Sequence, residues 1–114
     1  MSENCVLCKI AKGEIETEFV YRDDVICAVN DINPVAPVHI LIFPLEHITG
    51  IDSLGIADNT LLGHIISGSK TIAEIVGIDG TGFRTVINQG SDSGQEIEHL
   101  HAHVIGGQLL GVIA

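Results

Sequence analysis

The run His99-Leu100-His101-Ala102-His103-Val104-Ile105 constrains this chain more than any other stretch of it. In a β-strand successive side chains point to opposite faces, so His99, His101 and His103 are expected on one side while Leu100, Ala102 and Val104 enter a core. A chain carrying this run needs a sheet with an apolar face and a face that bears imidazoles. Imidazole titrates near neutrality and serves as nucleophile, acid, base or metal ligand, so a row of three points to chemistry. A His-rich metal tract or a partner-binding strand is the plainer alternative, although metal sites more often mix ligands from several elements.

Periodicity supplies the rest of the frame. Residues 5–12 read as a short helix ended by Gly13, and Phe19–Arg22 and Val25–Asn30 as an antiparallel hairpin turned at Asp23-Asp24. Pro34 and Pro37 mark a loop, after which His39–Phe43 reads as a buried central strand stopped by Pro44. A long helix is expected from about Ala57 to Val76, because Leu61, Leu62, Ile65, Ile66, Ile72, Ala73 and Val76 recur at helical spacing. That face is wider than one small sheet requires, so Ile65 and Ile72 are expected to meet a second protomer in a homodimer. His64 falls off the stripe and reads as a surface residue with no part in the chemistry. Phe83–Asn88 is the next strand. The loop Gln89–Glu96 follows, with glycines and small polar residues that let a backbone wrap an anion closely. The order predicts an α+β fold: one antiparallel sheet with a long helix and a short N-terminal helix, in a single domain spanning 1–114.

Charge narrows the partners. Fifteen acidic residues against five basic ones give a formal charge of -10, which repels nucleic-acid polymers and anionic membranes. A mononucleotide remains admissible, because backbone N–H groups and imidazoles can hold one or two phosphates whatever the global charge. No apolar run approaches the ~18 residues of a spanning helix. The start Met1-Ser2-Glu3-Asn4 also lacks a signal peptide's basic and apolar segments, so the cytoplasm is the expected compartment. Three cysteines there argue against a disulfide framework, and Cys27 reads as a buried small hydrophobe. With aromatic residues at 4%, a bound purine would lie mainly against aliphatic side chains.

Three constellations carry chemistry. A nucleophilic histidine needs one nitrogen free, the other held by an acceptor, and a neighbouring acid for the leaving group. His101 is the best placed, with His103 along the same face and His39 on an adjacent strand completing a relay, unless His39 only caps its strand. Cys5 and Cys8 have the spacing of a metal half-site, and His47 and His99 are the natural histidines to complete a tetrahedral zinc site; two reduced cysteines in a terminal helix are the alternative. A redox dithiol would follow a strand, for which position 5 leaves no room. Asp31, with Ile32 beside it, stands where a carboxylate can bind a ribose diol and an apolar side chain a base, or else it begins a turn.

Together these residues resemble the histidine-triad (HIT) family, in particular its Hint-like branch of purine nucleoside phosphoramidate hydrolases. The resemblance covers nearly the whole chain: the opening Cys5, Cys8, Lys9 and Ile10, the pair Asp31-Ile32, the strand bearing Pro37 and His39, then His47, Asn88, the Ser91–Gln95 loop and the terminal triad. It implies that His101 forms a covalent nucleotidyl-histidine, with His103 and His39 as phosphate contact and proton relay. Asp31 and Ile32 would meet ribose and base, while Asn88, Gly94, Gln95 and Glu96 surround the phosphate. The third triad position is His103, where the nucleotidyltransferase branch has glutamine, so hydrolysis is favoured over transfer. Structural zinc on Cys5, Cys8, His47 and His99 is implied, with no organic cofactor. Glu96 departs from the serine of some Hint-like members, and Leu7 and Val29 stand where aromatic residues line their pocket wall. The expected enzyme is a homodimeric cytoplasmic hydrolase of AMP-amine adducts. Cleavage of dinucleoside polyphosphates or adenylylated adducts, and nucleotide binding without turnover, are the alternatives.

Overall fold

The computed structural model describes residues 4–113, so the N-terminal residues 1–3 read for a targeting signal, and Ala114, lie outside the described residues. The elements run α1 (Val6–Ala11), β1 (Phe19–Arg22), β2 (Ile26–Asn30), β3 (Val38–Pro44), α2 (Asn59–Val76), β4 (Phe83–Ile87) and β5 (Ala102–Gly106). The strands form one five-stranded antiparallel sheet in the order β1-β2-β3-β5-β4. The α+β architecture is the expected one. Among the described residues no helix is long and apolar enough to cross a membrane.

The β1–β2 turn is built by Asp23, whose Oδ1 accepts from the backbone N–H of Val25 and of Ile26 at 2.8 Å each, an Asx-type closure. Helix α2 stops at Gly77, which takes the left-handed conformation (φ 79°) that closes a helix C-terminus. Its middle lies close on the sheet: a Cβ on Gly68 would come within 3.0 Å of the Ile26 side chain, so the absence of one sets the approach. Ile65, Ile72 and Ala73 pack there against Ile26, Ala28, Ile40, Ile42, Leu100, Ala102 and Val104. Burial of each large aliphatic side chain contributes about 2 kcal/mol. Ile65 and Ile72 are therefore core residues, fully buried within the chain's own fold, and cannot supply the dimer contact expected of them. The exposed apolar residues of this helix are Ile66 and Ile75. His64 is not idle either: its Nε2 lies 2.6 Å from Asp23 Oδ2, tying α2 to the hairpin on the sheet face opposite the triad.

The second face has its own apolar cluster, in which Leu7, Cys8 and Ala11 of α1 pack on Cys27, Val29, Leu41 and Phe43. The six residues of α1 are too few to hold a helix alone. Leu7 and Val29, which stand where the resemblance puts a pocket wall, are buried in this cluster. The histidine run departs from expectation at its start. Leu100, Ala102 and Val104 do enter the α2-side core, but β5 begins only at Ala102, so His99 and His101 precede the ladder. The register pairs Ile42 with Ala102, so two residues further Pro44, which has no N–H to donate, would stand opposite Leu100. The Leu100 N–H instead bonds Ile48 O at 2.6 Å.

Candidate active site and metal cluster

At the strand end of this face, His101 is anchored from behind. Its Nδ1 lies 2.7 Å from the carbonyl oxygen of His99, an acceptor, so the ring proton resides on Nδ1 and the Nε2 lone pair is left for chemistry. The ring is mostly buried yet borders a cleft of about 180 Å³. His103, Asn88, Glu96 and Asp31 border the same cleft, with Gly94 and Gln95 from the loop before the triad. Leu41 and Ile97 complete it, and neither stood out in the sequence. Leu41 shares its strand parity with His39, the one signal that places it there.

Behind His103 lies His39, with Nε2 to Nδ1 at 2.8 Å, and His39 Nε2 is also 3.4 Å from Asp31 Oδ2. On its other side His39 Nδ1 accepts from the backbone N–H of Val35 at 3.1 Å. Burial foremost, then the neighbouring His101 and His39, push the His103 imidazole down to about 4 against the pull of Asp31, so it is neutral at neutral pH. Asp31 also accepts from Asn33 N–H through Oδ1 at 2.8 Å, so it begins a turn while bordering the cleft. Ile32 is 92% exposed and stands outside the cleft. The Gln95 side chain is committed within the protein: Oε1 accepts from Gly90 N–H at 2.8 Å, and Nε2 donates to Ile97 O at 3.1 Å and Thr49 O at 3.3 Å. It braces the loop against the segment after β3. Glu96 is exposed at the rim, and the cavity beyond it, about 390 Å³, is also bordered by Glu98.

A second cluster lies behind the triad. Cys5 caps α1 and Cys8 lies one turn on; His47 follows β3, and His99 precedes β5. Cys5 Sγ is 3.2 Å and Cys8 Sγ 3.4 Å from His99 Nδ1, and Cys8 Sγ is 3.1 Å from His47 Nδ1. All four donor atoms fall within 4.8 Å of one another, an arrangement that can hold a metal ion. The edges of an S₂N₂ zinc tetrahedron are roughly 3.5 Å, which the observed spacings fit. The outer partner fits as well: His99 Nε2 faces Pro44 O at 2.9 Å, so its proton belongs there and Nδ1 offers a lone pair to an ion. Without a cation, burial pushes the Cys8 thiol up to about 11 and, as the largest influence, holds the His99 imidazole below its ordinary value.

Comparison with known proteins bears on the fold and the family. The HIT domain family model matches residues 12–109. The chain is 39% identical to the purine nucleoside phosphoramidase of Escherichia coli K12, covering 97% of this chain and 93% of that protein. It is 41% identical to an uncharacterized HIT-like protein of Synechocystis, over 95% and 94%. Among solved structures, a histidine triad protein from Clostridium difficile superposes with a TM-score of 0.93 at 43% identity, covering 97% of this chain and 96% of that one.

Proposed function

The chain belongs to the HIT family, and on that premise we propose that it hydrolyses the P–N bond of purine nucleoside 5′-phosphoramidates by two displacements at phosphorus. The observation that carries the reading is the His101 ring, pinned through Nδ1 to His99 O at 2.7 Å and bordering the cleft. The similarity to a protein named purine nucleoside phosphoramidase supports the choice of bond. In the first step His101 Nε2 attacks phosphorus, the P–N bond breaks, and the nucleotide is held on the imidazole. The departing amine takes a proton from His103 Nε2, which the His39–His103 pair has gained from solvent as the anionic phosphate binds beside it. In the second step water attacks phosphorus, the P–N bond to His101 breaks, and the water's proton returns to the pair. The pair returns that proton to solvent as the nucleotide leaves, so no net proton is left on the protein.

At about 180 Å³ the cleft is smaller than the ~300–1,000 Å³ of pockets that enclose whole ligands, so it takes the phosphoryl group and the leaving atom. Ribose and base then lie outward along Asp31 and Ile32, with Asn88, Gly94, Gln95 and Glu96 around the phosphate. The brace made by the Gln95 side chain leaves that residue to act chiefly by shaping the loop. Zinc on Cys5, Cys8, His47 and His99 would be structural, since four protein ligands leave no open position. It would join α1 to the segments flanking β3 and β5. We retain the homodimer and the cytoplasmic location in this reading. The edge position of β4 and the exposed Ile66 and Ile75 of α2 offer a second protomer its surface.

Turnover of an AMP-amine adduct measured beside a dinucleoside polyphosphate tests the reading. Preferred cleavage of the adduct is expected. Preference for the polyphosphate would make this a different HIT hydrolase, and tight AMP binding without turnover of either would make it a nucleotide-binding protein. Glu96→Ser is expected to tighten AMP binding at low salt by removing a like charge, and to weaken any preference for cationic leaving amines.

A further inference from the structure

The partners of His39 fix its protonation as well as its place. A backbone N–H only donates, so the 3.1 Å bond from Val35 N–H makes His39 Nδ1 an acceptor. A neutral imidazole has one N–H, which for His39 then lies on Nε2. That Nε2–H donates to His103 Nδ1 at 2.8 Å, with Asp31 Oδ2 a more distant second acceptor at 3.4 Å. His103 Nδ1 accepts in its turn, and the proton of His103 lies on Nε2.

We propose that the backbone N–H of Val35 is the positioning group of the relay: it holds His39 and His103 in the Nε2–H tautomer, so that His103 presents an N–H to the cleft, and it opposes a further proton on the pair. The opposition follows from counting donors. A proton added at His103 Nδ1 needs His39 Nε2 as acceptor, which moves the His39 proton to Nδ1, where it meets the Val35 N–H. A proton added to His39 itself ends in the same conflict. The charged pair must give up a hydrogen bond, which makes it a stronger acid toward a departing amine. The titratable groups facing the pair are Asp31 from the segment after β2, His101 beside β5 and Glu96 from the preceding loop.

The same N–H closes the cluster to metals. Asp31, His39 and His103 bring three ligand atoms within 4.8 Å. An ion on His39 Nε2, however, would need the ring proton on Nδ1, against the Val35 donor.

The inference rests on the hydrolase reading only for its use in catalysis, and its test is a measurement on the free protein. Nitrogen-15 NMR of the histidine rings in the full chain is expected to show His39 and His103 both protonated on Nε2, with both Nδ1 atoms bare. Replacing Val35 by its α-hydroxy acid exchanges that one N–H for an ester oxygen. The exchange is expected to move the His39 proton to Nδ1 and to raise the titration midpoint of the pair by up to about one pH unit. Val35→Pro, which also lacks the N–H, is the second variant. A protonated His39 Nδ1 in the unsubstituted protein overturns the proposal. So does a folded ester variant with unchanged tautomers and midpoint. Absence of P–N turnover in a protein with the expected tautomers would overturn the hydrolase reading and leave this one standing.

Discussion

Two groups of histidines stand on the same face of the sheet, and the atom behind each ring separates what they can do. Behind His99 is an acceptor, the Pro44 carbonyl, which draws the ring proton outward and turns Nδ1 toward Cys5 and Cys8 as a lone pair. Behind His39 is a donor, the Val35 N–H, which drives the ring proton inward toward His103. Both groups bring their ligand atoms within 4.8 Å of one another, so proximity alone does not distinguish a metal site from a proton relay. The outer hydrogen bond does. His101 lies between the two, held by the carbonyl of His99, so the Cys–His cluster and the proposed nucleophile share one short length of backbone.

The sharpest break between the groups should come at His101. His101→Ala is expected to lower turnover by about a thousandfold or more while metal content and AMP affinity stay near those of the parent. A loss under about tenfold would move the nucleophile to another residue. Next in size, His103→Ala should slow adducts with poor leaving amines by about a hundredfold and spare activated ones, since an activated group departs without a proton. Equal losses across a leaving-group series would reject the role of His103 as acid.

Stability against pH sharpens the same contrast. His103 has its folded value pushed below the unfolded one, to about 4. Between roughly pH 6.5 and that value the unfolded chain therefore holds more protons, and stability falls as pH falls. His103→Gln should flatten part of that slope in denaturant titrations at successive pH values; an unchanged slope would mean that His103 titrates normally in the fold. The smallest effect is expected across the sheet, where His64 and Asp23 meet at 2.6 Å away from either cluster. Burial opposes the Asp23 charge, but the N–H groups of Ile26 and Val25, then His64 and Tyr21, outweigh it and hold the carboxyl well below its usual range. Its contribution is present above about pH 4 and lost in more acid solution. Asp23→Ala should cost about 2 kcal/mol at neutral pH and leave turnover per folded molecule unchanged. A matching loss of turnover would tie the hairpin to the site.

The alternation of His99, His101 and His103 with Leu100, Ala102 and Val104 carried the two-faced sheet, because period two follows from the backbone alone. The spacing of Cys5 and Cys8 likewise carried half of the four-residue cluster that could hold an ion. The burial of Ile65 and Ile72 did not follow, because a stripe shows that a helix face is apolar and does not show what covers it. Nor could spacing reveal the acceptor at Pro44 or the donor at Val35. Every residue type carries the first and every type but proline the second, and only the path of the chain places these main-chain atoms behind a ring. The truncated start of β5 had a legible cause in Pro44, whose missing N–H takes effect only once the register is known. Gln95 reads in sequence as a polar group for a phosphate, and the fold spends its amide on the Gly90, Thr49 and Ile97 backbone.

The division of labour between the two groups is tested most directly by measuring metal content and turnover on the same samples, before and after the ion is stripped by a chelator. About one ion per chain is expected at the start. Stripping should lower the melting temperature by on the order of 10 °C while turnover per folded molecule stays within about twofold. Turnover that fell in step with the ion, in protein still folded, would contradict the account.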